Sequence, residues 1–344
     1  MKNTLKKTMI ELIVISFLLS LLLLSDRTME LASKGLLIWY RNMIPSLFPF
    51  MVFSGFLVRS GLANRFSNLL RPILGILFPS SGSMLYAIFM GFLCGFPMGA
   101  RVVADLVENG QITVKQGQYL LSFCNNIGPL YMLGYVLPLF GWENTAPIFL
   151  ILYGVPLGYG FLLQFFPGYR KELRTKKDTA YRLVCCEYPS TAAKHIYGRK
   201  NTGSTGYLTS FQAALENALG QITLLGGCMA FFNCLQIYPE LIGQFIPIAL
   251  QGFYQRYLYA PLCCLLEIGG GLDTLASTYG NYLSSPSLYE SGLIIAFLTF
   301  GGLSCIMQTL FMIKNTRLSL QNYLTHKLLQ AFLAFLLSSL LVFI

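Results

Sequence analysis

Charge is what this chain has least of. Only 11% of its 344 residues are Asp, Glu, Lys or Arg, where a soluble domain carries roughly 25%. With 55% hydrophobic residues, that shortage excludes disorder, coiled coil and a disulfide-stapled secreted fold. Histidine is almost absent, at His195 and His326, and the nine cysteines form no CxxC pair. A zinc site and a disulfide framework are therefore unsupported. Seven of the cysteines lie in apolar stretches and read as small core residues. Walker loop, HExxH, GxSxG and dinucleotide fingerprint are all missing. Nothing points to an enzyme, and no cofactor is expected. The class that remains is an all-α polytopic membrane protein. Its net charge of +10 reads as cytoplasmic anchoring, not nucleic-acid binding, because inner loops collect Lys and Arg.

A spanning helix needs roughly 20 apolar residues. Seven stretches qualify at about 8–25, 43–60, 118–140, 146–166, 212–237, 292–313 and 325–344. Two others, about 84–110 and 258–283, are broken near their centres by glycine, with Pro97 in the first. They carry Arg101, Asp105 and Glu108, and Glu267 and Asp273. Backbone freed at membrane depth survives only in protein or beside a wet cavity. Both are read as re-entrant helical hairpins, with two badly interrupted spans as the alternative.

The basic residues set the expected orientation. A cytoplasmic N-terminus puts 20 of the 24 Lys and Arg inside, nine of them in the loop 167–210. Arg27, Lys34, Arg41 and Arg256 fall outside. Lys327 counts here as a border residue of the last inner loop. That basic loop, Gly/Ser/Thr-rich at 201–206, reads as a flexible connection drawn to anionic lipid headgroups.

Leu85-Tyr86-Ala87 recurs as Leu258-Tyr259-Ala260 at the start of the second interrupted stretch, and Asn42 has a counterpart in Asn217. The expected organisation is a first membrane repeat at 1–141, a second at 142–313, and an inner loop with a final helix at 314–344. Each unit has three crossings, so the second copy is inverted. That is the build of many secondary transporters, with substrate held at the midplane.

Residues costly in lipid nominate the site. Gly91, Gly95 and Gly99 form a GxxxGxxxG pattern suited to close packing. Phe96, Pro97, Gly99 and Arg101 surround the first break, where a half-helix N-terminus favours an anion. Arg101 either adds a guanidinium fork there or reaches the interface and pairs with Asp105 at i+4. Asn125 and Asn126 sit inside an apolar span just before Gly128-Pro129, which should unwind it locally. Glu267 and Gln308 take matching places in the second half. Glu267 reads as a coupling-ion or proton site, or as a partner for freed backbone. Phe96 or Phe123 would cover a flat ring.

Three motifs together resemble a known family. They are Asn42-Met43-Ile44-Pro45-Ser46-Leu47-Phe48-Pro49, the Gly-Phe-Pro-Met-Gly-Ala-Arg run at 95–101, and Ser-Phe-Cys-Asn-Asn-Ile-Gly-Pro-Leu at 122–130. The family is that of the sporulation integral membrane protein YlbJ, in the nucleoside-recognition or Gate group. The resemblance implies a membrane protein of endospore-forming Firmicutes, needed for spore cortex formation or maturation and placed in the mother-cell or forespore membrane. It also implies two re-entrant hairpins and two broken helices, as in concentrative nucleoside carriers. The expected function is secondary transport of a small, dipicolinate-like organic anion. A nucleoside carrier, and a non-transporting scaffold working through the basic loop, remain as other readings.

Overall fold

The computed structural model describes residues 2–78, 80–142, 145–173, 204–279 and 288–341. Most of the basic loop predicted at 167–210, and the end of the second predicted hairpin at 280–283, lie outside the described residues. The described residues form helices and no strand. The chain is an all-α polytopic membrane protein. Five helical stretches are long and apolar enough to cross a membrane: Ser25–Arg59, Ala146–Leu163, Gly206–Gln244, Tyr289–Ile313 and Leu320–Leu340. Each contains or overlaps one of the predicted spans. The other two differ. The stretch predicted at 8–25 lies in helix α1 (Lys2–Leu23), which is apolar over only part of its length. The stretch predicted at 118–140 is broken in the middle.

Helix α2 (Ser25–Ile38) runs through a π-helical stretch, Trp39–Met43, into α3 (Ile44–Arg59). This rod begins well before the predicted 43, because Asp26, Arg27, Glu30 and Lys34 mask it in a hydropathy reading. Three of those charges are paired within the fold, Arg27 with Glu30 and Glu240, and Lys34 with Asp273. Two more π stretches occur, Met132–Val136 and Gln255–Tyr259. A proline follows each of the three by two residues: Pro45, Pro138 and Pro261. Proline has no N–H for the carbonyl four residues back. That carbonyl belongs to Arg41, Gly134 and Tyr257, the middle residue of each π stretch. The wider turn accommodates the lost bond.

An amphipathic helix, α4 (Ala63–Leu77), precedes the first hairpin. Its exposed Leu69 and Ile76 suit a helix lying along the membrane interface. The hairpin itself has arms α5 (Gly82–Cys94) and α6 (Met98–Glu108), which pack on each other. At about 1.5 Å per residue, 13 and 11 residues fall short of a hydrocarbon core about 30 Å thick. Neither arm alone is long enough to cross, and the two form a tight helical hairpin. A capping box on Thr113 opens α7 (Val114–Leu121). The backbone then leaves helical geometry until α8 (Pro129–Tyr131), the π stretch and α9 (Leu137–Phe140). This is the unwinding expected at Gly128-Pro129.

After α10 (Ala146–Leu163) and α11 (Pro167–Leu173) the pattern returns. A long helix, α12 (Ser204–Cys234), packs along α2 and α3 and leads into α13 (Ile237–Gln244). The second hairpin starts earlier than predicted, at α14 (Ile248–Tyr254), and continues through the π stretch into α15 (Ala260–Leu266). It turns at the extended residue Glu267 and returns as α16 (Ile268–Tyr279). The second broken helix consists of α17 (Leu288–Phe300) and α18 (Gly302–Ile313). Gly301 and Gly302 interrupt it at φ 88° and 77°, where a side chain would be strained. Helix α19 (Leu320–Leu341) closes the chain against α17. Hairpin, broken helix and continuous helix thus occur twice in the same order.

The GxxxGxxxG glycines seat the unwound segment. A Cβ on Gly91 would lie 2.0 Å from the Cys124 carbonyl oxygen, and one on Gly99 would lie 2.2 Å from the same atom. A Cβ on Gly95 would lie 2.3 Å from the Gly128 nitrogen. Hairpin and broken helix meet backbone to backbone. Gly99→Ala should therefore destabilise the protein by about 1–3 kcal/mol. Gly158→Ala, with nothing within 4 Å of its new Cβ, should be neutral or gain about 0.5 kcal/mol. Thermal unfolding of the two variants in detergent checks the contrast.

Candidate substrate cavity

The two hairpin tips and the two helix breaks converge on one cavity of about 40 Å³. Phe96 and Gly128 contribute from the first half, Glu267, Ile268, Gly301, Cys305 and Gln308 from the second. Met43 and Leu47 on one long helix, and Leu225 and Met229 on the other, complete the wall. The space suits two or three waters.

Of the residues nominated from sequence, Phe96, Glu267 and Gln308 line this cavity. Phe96 and Pro97 form the tip of the first hairpin, and Gly99 sits behind it against Cys124. The rim of the Phe96 ring would lie 3.1 Å from a Cβ on Gly301, so the first tip docks on the second break. Phe123 is elsewhere, stacked on Phe78 at 5.5 Å in the core.

Asn125 is fully buried. Its Oδ1 accepts from the Ala100 N–H at 3.2 Å, so it caps the half-helix α6 from another element. Its Nδ2 donates to Thr309 Oγ1 and to Tyr323 Oη, both at 3.0 Å. One amide ties the first hairpin, both broken helices and α19. Asn126 donates to the Phe123 carbonyl at 2.6 Å and accepts from Lys327 Nζ at 2.7 Å.

Lys327 is the residue that sequence reasoning missed. Counted as an interfacial lysine, it is fully buried in the structure. Besides Asn126, its ammonium donates to the Thr299 carbonyl at 3.3 Å and to Gln330 Oε1 at 3.5 Å. It also lies 5.0 Å from the centre of the Phe96 ring. No carboxylate is among its partners. Gln330 in turn donates to the Ser122 carbonyl at 2.5 Å. A lysine two turns into a helix that follows a polar segment normally reaches for the interface; only the packing of α19 on the breaks reveals otherwise.

Arg101 is not brought to this cavity. It pairs with Asp105 at 2.5 Å, the i+4 arrangement that was the second of its two readings. Both residues line a separate small cavity with Arg59, Ser54 and Gln221.

Glu267 is 1% exposed at the turn of the second hairpin. Its Oε2 accepts from the Gly270 N–H at 2.7 Å, capping α16, and from Asn233 Nδ2 at 3.2 Å. Asn233 is steadied by Gln236, which donates to its Oδ1 at 3.1 Å. Neither amide was nominated, since each reads as an ordinary polar residue near a helix end. The seven described cysteines are free and buried. Among the described residues no three His, Cys, Asp or Glu cluster as metal ligands.

The residues that build the first half of this arrangement, from the π stretch through the first broken helix, match the Gate family, described as nucleoside recognition, over 40–143. Over 316 aligned residues the chain is 24% identical to the sporulation integral membrane protein YlbJ of Bacillus subtilis (strain 168), covering 88% of this chain and 74% of the relative. The family resemblance carried by the three sequence motifs agrees with both. No solved structure matches the chain. The Gate region supplies Phe96, Asn125 and Asn126. Glu267, Gln308 and Lys327 come from beyond it.

Removing Asn125 leaves the Ala100 N–H and two hydroxyls without their partner, so Asn125→Ala should cost about 2–4 kcal/mol. Arg101→Gln loses a partly exposed ion pair and should cost no more than about 1 kcal/mol. Chemical or thermal unfolding of purified variants reads the difference.

Proposed function

We propose that the chain is a secondary transporter of a small organic anion, working in the membrane of a sporulating cell with its N-terminus cytoplasmic. The observation that carries the reading is Lys327. A buried ammonium with only neutral partners costs several kcal/mol, and an arriving anion supplies the missing charge. Phe96, between Lys327 and the cavity, offers a face to a flat aromatic ring. A pyridine dicarboxylate of the dipicolinate type has both features. The half-helix α6 adds a positive dipole end at the same tip.

A cavity of about 40 Å³ holds no cargo of that size, so loading requires the first hairpin tip to leave Gly301. Its two short arms, joined by Gly95-Phe96-Pro97, form a unit that could swing in this way. The sporulation role rests on the printed name of the YlbJ relative, and the orientation rests on the 20-to-4 charge split. A nucleoside carrier is the second reading. The Gate family's description favours it, and so does Glu267, whose carboxylate suits a pair of ribose hydroxyls.

Uptake of labelled pyridine-2,6-dicarboxylate and of labelled uridine into liposomes holding the purified protein tests the reading. Saturable uptake of the dicarboxylate is expected. Lys327→Met should lower it by about tenfold or more, and it should also lower the unfolding temperature by leaving Asn126, Thr299 and Gln330 without their donor, so uptake is compared at equal amounts of folded protein. Arg101→Gln should keep most of the uptake. Uptake of uridine alone, or full dicarboxylate uptake by Lys327→Met, would overturn the proposal.

A further inference from the structure

A second buried ionisable side chain, Glu267, stands on the wall of the cavity itself. Glu267 accepts two N–H bonds on Oε2, one of them from the start of α16. No cation is paired with it. Lys34 on the neighbouring α2 is held by Asp273 at 2.8 Å. Facing the same cavity is Tyr131, only 6% exposed, whose hydroxyl has no hydrogen-bond partner. An unpaired buried hydroxyl costs about 1–3 kcal/mol, which marks a place where something else binds.

Glycine keeps the space between these groups open. A Cβ on Gly269 would lie 3.1 Å from Glu267 Oε2 and 3.4 Å from Tyr131 Oη, so both oxygens border one gap. Gln308, on the same wall, donates through Nε2 to Ser304 Oγ at 3.0 Å, which leaves its Oε1 as an acceptor. A carboxylate, a phenol oxygen and an amide oxygen around a gap of water size make an all-oxygen donor set, suited to a hard cation. A single carboxylate balances a single positive charge.

We propose that Glu267, Tyr131 and Gln308 bind an alkali metal cation in the central cavity, beneath Gly269. The cation neutralises Glu267 as the anionic cargo neutralises Lys327. A cavity loaded with both is neutral overall, and one loaded with either alone retains an unpaired buried charge. Coupling between the two ligands follows from that electrostatics. Its role as the coupling ion rests on the transporter reading; its binding does not.

The test is the unfolding temperature of the purified full-length protein in detergent, titrated with NaCl against N-methylglucamine chloride at constant ionic strength, with no organic substrate present. Sodium should raise the unfolding temperature of the wild type saturably. Glu267→Gln, which keeps an oxygen for Gly270 and Asn233, should abolish the rise. Tyr131→Phe removes a hydroxyl with no protein partner, so it should fold normally and need about fivefold or more sodium for half effect. Gly269→Ala should act like Tyr131→Phe by filling the gap. No sodium effect in the wild type, or the same effect in Tyr131→Phe and Glu267→Gln, would overturn the site. So would stabilisation that follows pH and not sodium, which would assign a proton to Glu267 instead. Sodium stabilisation without dicarboxylate uptake would sink the transporter reading and leave the cation site standing. The converse result would sink the site alone.

Discussion

Backbone that leaves helical geometry inside a membrane must find hydrogen-bond partners in the protein, and the architecture follows from that demand. The break at 122–128 frees carbonyls at Ser122 and Phe123, which are met by Gln330 and Asn126. The break near Gly301 frees the Thr299 carbonyl, met by Lys327. The half-helix α6 receives Asn125 at its start, and α16 receives Glu267. Partners come from across the molecule, so hairpins, broken helices and α19 hold one another in place. Glycines at 91, 95 and 99 permit the close approach that makes this reach possible. The breaks are the centre of the fold, and the cavity is the space they leave.

Two ionisable side chains of opposite kind are buried near that space, Glu267 on its wall and Lys327 behind Phe96, and they do not pair with each other. Lys327 has neutral acceptors and an aromatic face; Glu267 has N–H donors. Keeping them apart stores an electrostatic cost that ligands of the right sign relieve. Phe96 on Gly301 also joins the two halves at the cavity, so widening it separates the first tip from the second break. Loading, charge balance and opening are thereby linked at one place.

Much of this was legible in the sequence, and for one reason: polar or flexible residues in an apolar run are expensive and need a role. That logic singled out the breaks at Gly95–Pro97 and Gly128, the amides Asn125 and Asn126, and the acid Glu267, while the break at Gly301 lay hidden in a stretch read as an ordinary span. It also gave the i+4 pairing of Arg101 with Asp105 as one of two readings. The same logic failed where a residue looked cheap. Lys327 stands near the start of a helix after a polar segment, where a lysine ordinarily reaches water. Tyr131 and Asn233 are unremarkable in one dimension. Their importance lies in what they face, which only tertiary packing decides. The long helix from Ser25 was hidden because its charges break the apolar run, and three of them are neutralised by partners, two of these more than 200 residues away.

The most direct measurement is equilibrium binding of pyridine-2,6-dicarboxylate to the purified protein by calorimetry, with uridine as competitor, in the wild type and in Lys327→Met. The account predicts saturable binding of the dicarboxylate that uridine does not displace, and its loss in the variant. Binding that survives in Lys327→Met, or that uridine displaces fully, would contradict a cavity built around an unpaired buried cation.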